Sequence, residues 1–378
     1  MNVISVYFSM PIFFGDQLSY FNERGFEIHI LCSPSEKLEG CSKIHGFKYK
    51  EIRILRQFSV YQDLKSVFQI YQYIKANKIE IVCGHSPKGA LLSMIASYFA
   101  GVPKRVFFRH GLVYETTSGL KKQLLINIER LTSFLSTQVV CVSPYLIERS
   151  IKDKLTQKDK MILLHKGSCN GVDALSKFNP ENIELDQQIY FRKHLKLPSE
   201  DFIIGYIGRL VKDKGLIELV EAFNQLKSKY SNITLLLIGP EESKDILPEH
   251  IRSSIKTEPR ILSLGLIEKD IEYYLSLMSI FVLPTHREGF GNALLEAAAM
   301  EIPVLTTSHT GSRDAIVADV TGSYIKMNAE SIVDVLSEYI DNPEMAKKRG
   351  ENGRKFILEN FEQIKIWNEI EDKIYNAN

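Results

Sequence analysis

Short apolar runs alternate with amphipathic stretches along the whole chain, and the runs close in glycine, serine or proline. VISVYF (3–8), EIHILCS (27–33), KIEIVCGHS (78–86), RVFFRHG (105–111) and QVVCVS (138–143) read as strands. Between them, DQLSYFNERG, GALLSMIASYFAG (89–101) and KKQLLINIERLTSFL (121–135) have helical spacing. After the polar stretch FNPENIELDQQ (178–188) the pattern restarts. FIIGYIG (202–208), ITLLLIG (233–239), ILSLG (261–265), IFVLP (280–284) and PVLTT (303–307) are strand candidates, each followed by helix-competent sequence. Runs that are apolar on both faces suit parallel sheets covered by helices. The expectation is α/β: two doubly wound domains, residues 1–180 and 181–355, joined near 175–190, with no internal repeat. Ligands of such sheets sit at the carboxyl ends of strands, and every motif below follows a strand.

Composition narrows the class. With 378 residues, 44% hydrophobic and 25% charged, the chain reads as a soluble globular protein of two domains. Its net charge of +1 conceals a split: residues 1–175 carry 23 Lys and Arg against 14 Asp and Glu, and the remainder 24 against 32. A basic first half points to an anionic membrane surface or a diphosphate-bearing partner, or to two halves that attract one another. The five cysteines form no CxxC pair, so neither a disulfide framework nor a zinc site is expected. The apolar opening lacks a basic start and a small-residue cleavage site, and no run reaches the roughly 18 apolar residues of a membrane span. A cytoplasmic protein with at most peripheral membrane contact is expected, and no nucleic-acid partner.

Four motifs carry candidate chemistry. GRLVKDKG (208–215) places Arg209, Lys214 and a helix start after a strand, which suits a diphosphate. It reads equally as a helix start capped by Asp213 with two solvated cations. HREGFGNALLE (286–296) holds Glu288 and Glu296 around a glycine–aromatic–glycine turn, with Asn292 as an N-cap candidate. Glu296 then lies one turn into the helix, near the positive end of its dipole. The two acids fit the sugars at opposite ends of a diphosphate, while dipole compensation is the plain alternative for Glu296. His110 in RHG (109–111) ends a strand and is either a donor to a ligand or a structural group. In CGHSPKG (83–89), His85 and Lys88 are acceptor-side candidates, with structure the favoured reading for His85 and contact with an acceptor or phosphate the favoured reading for Lys88. No GxGxxG follows the first strand of either domain, and no DxD occurs, so neither a nicotinamide or flavin site nor a metal bridged to a diphosphate has visible ligands.

Taken together, EGFGNALLE, GRLVKDKG and the NGVD turn (170–173) resemble, in order and spacing, the retaining glycosyltransferases of family 4, which have the GT-B fold. IRILRQFSVYQDLKSV, IEIVCGHSPKGALLSMIAS, RVFFRHGLVYE and VVCVSPYL resemble the subgroup that builds capsule, O-antigen and N-glycan saccharides on undecaprenyl diphosphate. The resemblance implies two Rossmann-like domains facing each other across a cleft, with a last helix, 356–378, returning to the first. It implies a nucleotide-sugar donor, a UDP-sugar by subgroup, as substrate, with no cofactor and no metal. Arg209 and Lys214 then neutralise the diphosphate, Glu296 grips the ribose, and Glu288 meets the donor sugar. The backbone of Phe290, Gly291 and Asn292 serves the sugar, and that of Ala293 and Leu294 the phosphate. Leu266 and Ile267 flank the base, and His110 faces the sugar from the first domain. Two departures stand out: the first loop offers Gly15 in place of a glycine pair, and TGSRDA (310–315) replaces the usual G-x-PE. A nucleotide-sugar 2-epimerase and a catalytically silent nucleotide-sugar-binding homologue are the competing readings.

Overall fold

A computed structural model of the chain describes residues 1–55, 57–242 and 245–376. It contains two all-parallel sheets. The first is seven-stranded in the order β3-β2-β1-β4-β5-β6-β7: β1 (Asn2–Val3), β2 (His29–Cys32), β3 (Lys48–Glu51), β4 (Ile81–Gly84), β5 (Lys104–Arg109), β6 (Gln138–Cys141) and β7 (Met161–Leu163). The second is six-stranded in the order β10-β9-β8-β11-β12-β13: β8 (Phe202–Ile207), β9 (Ile233–Ile238), β10 (Ile261–Ser263), β11 (Ile280–Leu283), β12 (Val304–Thr307) and β13 (Gly322–Ile325). Central strands such as HILC, ITLLLI and IFVL are buried at every position, the signature of a sheet covered on both faces. In each sheet the order reverses once, between β1 and β4 and between β8 and β11. At such a switch point adjacent loops diverge and leave a crevice at the carboxyl edge.

The chain forms two compact units, Met1–Gly171 with the segment from Ile364 onward, and Val172–Gln363. The boundary thus precedes the polar stretch at 178–188, and the return begins at Ile364, not at 356. Residues 377–378, the end of the expected last helix, lie outside the described residues, as does Arg56 of the IRILRQ segment. The returning segment is built into the first unit by side chains. Trp367 Nε1 donates to Asn170 O and Oδ1, both at 2.9 Å, and its ring lies 5.1 Å from that of Tyr20. Tyr375 sits against Phe21 and Phe26, at 4.8 and 5.0 Å between ring centroids.

The first strand is shorter than the apolar run suggests. Only Asn2 and Val3 pair in the sheet, and Tyr7–Ser9 turns into a 3-10 helix followed by a one-turn helix, Met10–Phe13. Three strands, β3, β7 and β13, were not anticipated from the sequence.

Candidate functional site

The carboxyl edge of the second sheet gathers charge at its switch point. After β8 the chain passes through Arg209, a 3-10 turn at Lys212–Lys214, and the Leu216–Lys229 helix. Buried Tyr206 donates from Oη to Arg209 O (2.8 Å), tying the loop to the strand beneath it. After β11 comes the loop 284–291. Lys214 Nζ lies 2.5 Å from Glu288 Oε2 and 3.4 Å from Arg287 O, so the two loops are joined by an ion pair. Arg209 Nη1 contacts Glu242 Oε2 at 3.0 Å, and its Nη2 lies 3.6 Å from Asp213 Oδ1. Asp213 also accepts from Arg287 Nη2 at 2.8 Å. Burial pushes the Asp213 carboxyl up, but the Arg287 hydrogen bond and the charges of Arg209, Arg287 and Lys214 outweigh it and hold it below the usual range. Asp213 is therefore an ionised strut between cations, not the helix cap the sequence also allowed.

Arg209, Lys214 and Arg287 thus meet Asp213, Glu288 and Glu242, which come from the loops after β8, β11 and β9 in turn. Their pairs are partly exposed, and such pairs contribute at most about 1 kcal/mol each to stability. They hold the cations in place at little cost to their release toward a stronger anion. Asp213 Oδ1 and Arg287 Nε are buried with no hydrogen-bond partner among the described residues.

Glycines let these loops meet. Gly215 has φ +73°, and a Cβ there would stand 1.7 Å from Pro284 O. Gly291, also left-handed (φ +93°), is the N-cap of the Asn292–Ala299 helix, so Asn292 is the first helical residue and not the cap expected of it. The Leu294 N–H closes that first turn on Gly291 O at 2.9 Å. The amides of Phe290, Gly291, Asn292 and Ala293 lie in the part of the turn that a helix leaves without intrahelical acceptors. Gly311 N donates to Glu288 O (2.9 Å), and a Cβ at 311 would stand 2.0 Å from Gly289 O. The TGSRDA departure therefore forms a backbone rest for the Glu288 turn. Gly311→Ala is expected to destabilise the chain by about 2–4 kcal/mol and to weaken nucleotide binding, read by urea denaturation and calorimetry. Gly40→Ala, with nothing within 4 Å of the new Cβ, is expected to gain about 0.5–1 kcal/mol instead.

Glu296 lies one turn into the helix and is half-buried. Burial pushes its carboxyl up to about 7; Lys177 opposes the rise and Glu272 adds to it. Leu266 and Ile267 follow β10, Leu266 exposed and Ile267 half-buried. Arg287, Glu242 and the role of Gly311 escaped the sequence reading. Arg287 stood inside the quoted motif and was the one legible signal.

In the first unit the candidates lie at the carboxyl edge beside the other switch point. His85 follows β4 and is buried; His110 follows β5 and is half-buried. His85 Nδ1 and His110 Nε2 are 3.0 Å apart, and His85 Nε2 is 3.2 Å from Asn2 Oδ1. His110 Nδ1 lies 3.7 Å from Cys169 Sγ, and its ring stacks on Phe13 at 3.8 Å with 10° between planes. Burial pushes His110 down to about 3, and burial followed by the charge of His110 pushes His85 well below the usual range. Lys88 is buried: its Nζ pairs with Asp63 Oδ2 (2.6 Å), donates to Gln57 O (2.9 Å) and lies over the Phe58 ring (4.7 Å). Gly15 has φ +48°, with Asn170 Nδ2 3.3 Å from where its Cβ would stand. Among the described residues no group of three His, Cys, Asp or Glu side chains is disposed to hold a metal ion.

Known proteins share this sequence pattern and architecture. Residues 187–356 match the family described as glycosyl transferases group 1, and residues 5–143 the glycosyl transferase 4-like family. Over 377 residues the chain is 32% identical to the capsular polysaccharide biosynthesis glycosyltransferase CapM of Staphylococcus aureus, covering 100% of this chain and 96% of that protein. It is 26% identical to the UDP-Gal:alpha-D-GlcNAc-diphosphoundecaprenol alpha-1,3-galactosyltransferase of Escherichia coli, covering 93% of this chain and 89% of that one. Among solved structures, Anabaena HepE in complex with UDP and glucose superposes with a TM-score of 0.83 at 15% identity, covering 100% and 99% of the two chains.

Proposed function

The chain belongs to the family 4 glycosyltransferases of the GT-B fold, and from that premise we propose a specific reaction for it. It moves a hexose or N-acetylhexosamine from a UDP-sugar to a hydroxyl of a lipid-linked saccharide, with net retention and without a metal ion, in the assembly of a bacterial surface polysaccharide. The observation that carries this reading is the cluster of Arg209, Lys214 and Glu288 at the switch point of the second sheet, beside the amino end of the Asn292–Ala299 helix. Breaking the bond between sugar and phosphate builds negative charge on the leaving diphosphate. Two fixed cations and the open amides of a helix start oppose that charge. The acceptor hydroxyl attacks from the leaving-group face, the diphosphate oxygen takes its proton, and Glu288 positions the sugar.

The test is release of nucleoside diphosphate from a panel of nucleotide sugars, with and without lipid-diphosphate saccharides, in EDTA. Release that needs one donor and one acceptor, and survives EDTA, is the expected result. Loss of activity in EDTA overturns the metal-free mechanism. Isomerisation of the donor without acceptor identifies an epimerase, and binding without turnover a silent homologue.

The acceptor side of the proposal includes an anionic membrane surface. The Val60–Ala76, Pro87–Ala100 and Gly119–Leu135 helices pack side by side. Their outward positions are apolar: Val60, Leu64 and Phe68, then Phe99, then Leu120 (91% exposed), Leu124 and Phe134 (72% exposed). The acids of these helices, Asp63 and Glu129, are spent on Lys88 and Arg109. Lys65, Lys75, Lys121, Lys122 and Arg130 carry the remaining charge. An apolar face ringed by cations suits an anionic bilayer. No described helix is long and apolar enough to cross one. Lys121→Ala with Lys122→Ala is expected to weaken binding to phosphatidylglycerol vesicles by about 2 kcal/mol, roughly thirtyfold, in a flotation assay. Equal binding to neutral vesicles counts against the assignment.

A further inference from the structure

Four side chains form a line across the carboxyl edge of the first sheet. Asn2 comes from β1, His85 from the end of β4, His110 from the end of β5, and Cys169 from the loop after β7. The contacts run Asn2 Oδ1 to His85 Nε2 (3.2 Å), His85 Nδ1 to His110 Nε2 (3.0 Å), and His110 Nδ1 to Cys169 Sγ (3.7 Å). The direction of this chain is fixed at its first link. An amide oxygen only accepts, so His85 carries its proton on Nε2. A neutral His85 then has a bare Nδ1, which only accepts, so His110 carries its proton on Nε2. The bare Nδ1 of His110 is left to accept from the thiol. That thiol also lies 3.9 Å from Phe13 O, farther than from the imidazole.

The remaining surroundings agree with an uncharged relay. His85 stacks on Phe108 (4.4 Å between centroids) and meets Phe14 edge-on (4.8 Å), and Phe13 covers one face of His110. Asn2 is hydrogen-bonded in turn to Tyr375, and burial pushes the Cys169 thiol up to about 12, so the sulfur keeps its hydrogen. No carboxylate contacts any member of the line among the hydrogen bonds and ion pairs of the described residues, so nothing there favours an imidazolium.

We propose that His85, anchored by Asn2, is a positioning residue that holds His110 as a neutral imidazole protonated on Nε2. This rests on the reading in which His110 meets the donor sugar. On that reading the consequence is electrostatic. The sugar gains positive charge as its bond to the diphosphate breaks, and an imidazolium at His110 would oppose it where a neutral ring does not. Both nitrogens of His110 are engaged here, so the group offers a fixed ring and edge unless a ligand displaces His85 or Cys169.

The test uses the full-length protein with 15N-labelled histidine, in which ring nitrogen shifts distinguish bare from protonated nitrogens. His110 is assigned by the signals missing from His110→Asn. In the unmodified chain the expected form is Nε2–H. His85→Leu removes the acceptor and is expected to mix the tautomers and lower kcat about tenfold, with the donor KM changing less than threefold. His85→Asn places an amide oxygen near the lost Nδ1 and is expected to restore the tautomer and bring kcat within threefold. An Nδ1–H or doubly protonated His110 in the unmodified chain overturns the proposal, as does an unchanged kcat in His85→Leu. If His85→Leu does not fold, Cys169→Ala tests the far end: it is expected to leave Nε2–H in place, and loss of that form overturns the stated direction. Because the ring shifts are read without turnover, they decide the relay even if no donor is ever consumed. Absence of turnover counts against the transferase reading alone.

Discussion

Replacing Lys214 by alanine is expected to lower kcat by about 10²–10³ while changing thermal stability little. The size follows from the role proposed for the ammonium. It opposes charge that appears on the diphosphate only as the sugar departs, and removing one such stabiliser costs about 2.7–4 kcal/mol of the barrier. The ligand-free pair with Glu288 is mostly shielded but not sealed, at 14% and 22% side-chain exposure, and its loss costs folding at most about 1 kcal/mol. Rate and stability therefore separate. Arg209→Ala behaves alike, and Arg209→Lys recovers only part of the rate because an ammonium cannot reproduce the guanidinium fork toward phosphate oxygens. Steady-state kinetics with melting curves decide the matter. A fall of less than fivefold for Lys214→Ala would remove the ammonium from the transition state.

Glu296→Gln separates two properties in a different way, through pH. The folded carboxyl is raised from 4.5 to about 7, so the folded chain holds this proton more tightly than the unfolded one. The stability this confers is fully present below pH 4.5 and is lost as pH rises through 7. Glutamine mimics the protonated form and escapes that loss. A shift of that size corresponds to an upper bound of about 3 kcal/mol, and because the side chain is half-buried, screening reduces the expected gain at pH 8 to about 1–2 kcal/mol. At pH 5 the gain shrinks below 1 kcal/mol. If Glu296 holds the ribose, as the family resemblance implies, the same substitution is expected to lower nucleotide affinity at pH 8 by about ten- to a hundredfold, since hydrogen bonds to a charged carboxylate contribute about 1.5–3 kcal/mol. Wild-type affinity is expected to rise with pH through 7, and that of the variant to stay flat. Urea denaturation and calorimetry at the two pH values measure both. A variant that binds as tightly as the parent removes Glu296 from the ribose.

Much of this was legible in the sequence because it is local. The strands FIIGYI and ITLLLI are continuous apolar runs, and the loops behind β8 and β11 advertise themselves by glycine and charge. What was not legible depends on partners far along the chain. KYKE (β3) is exposed at all four positions and is a strand only because β2 offers its edge. Tyr7 and Phe8 extend an apolar run, yet they leave the sheet for a helical turn once Val3 has paired. Lys88 looked available to a phosphate, and nothing near it in sequence announced Asp63 or the Gln57 carbonyl. Asn2, His85, His110 and Cys169 lie up to 167 positions apart, so only the strand order brings them into line. Gly311 was noticed as a departure from the family pattern, but its purpose needed the Gly289 carbonyl 2.0 Å from its absent Cβ.

The return of Ile364–Tyr375 to the first unit has a consequence for biosynthesis. On the ribosome the first unit begins to emerge before the second. It must nonetheless wait for residues 364–375, because Trp367 donates to Asn170 and Tyr375 packs against Phe21 and Phe26. Val172–Gln363 has no such dependence, being one uninterrupted stretch. Synthesis therefore reverses the usual order: the later unit can complete its core first, and the earlier one is finished only once Tyr375 has emerged. A nascent chain stalled just short of residue 364 carries a complete second unit and a first unit still missing its returning segment.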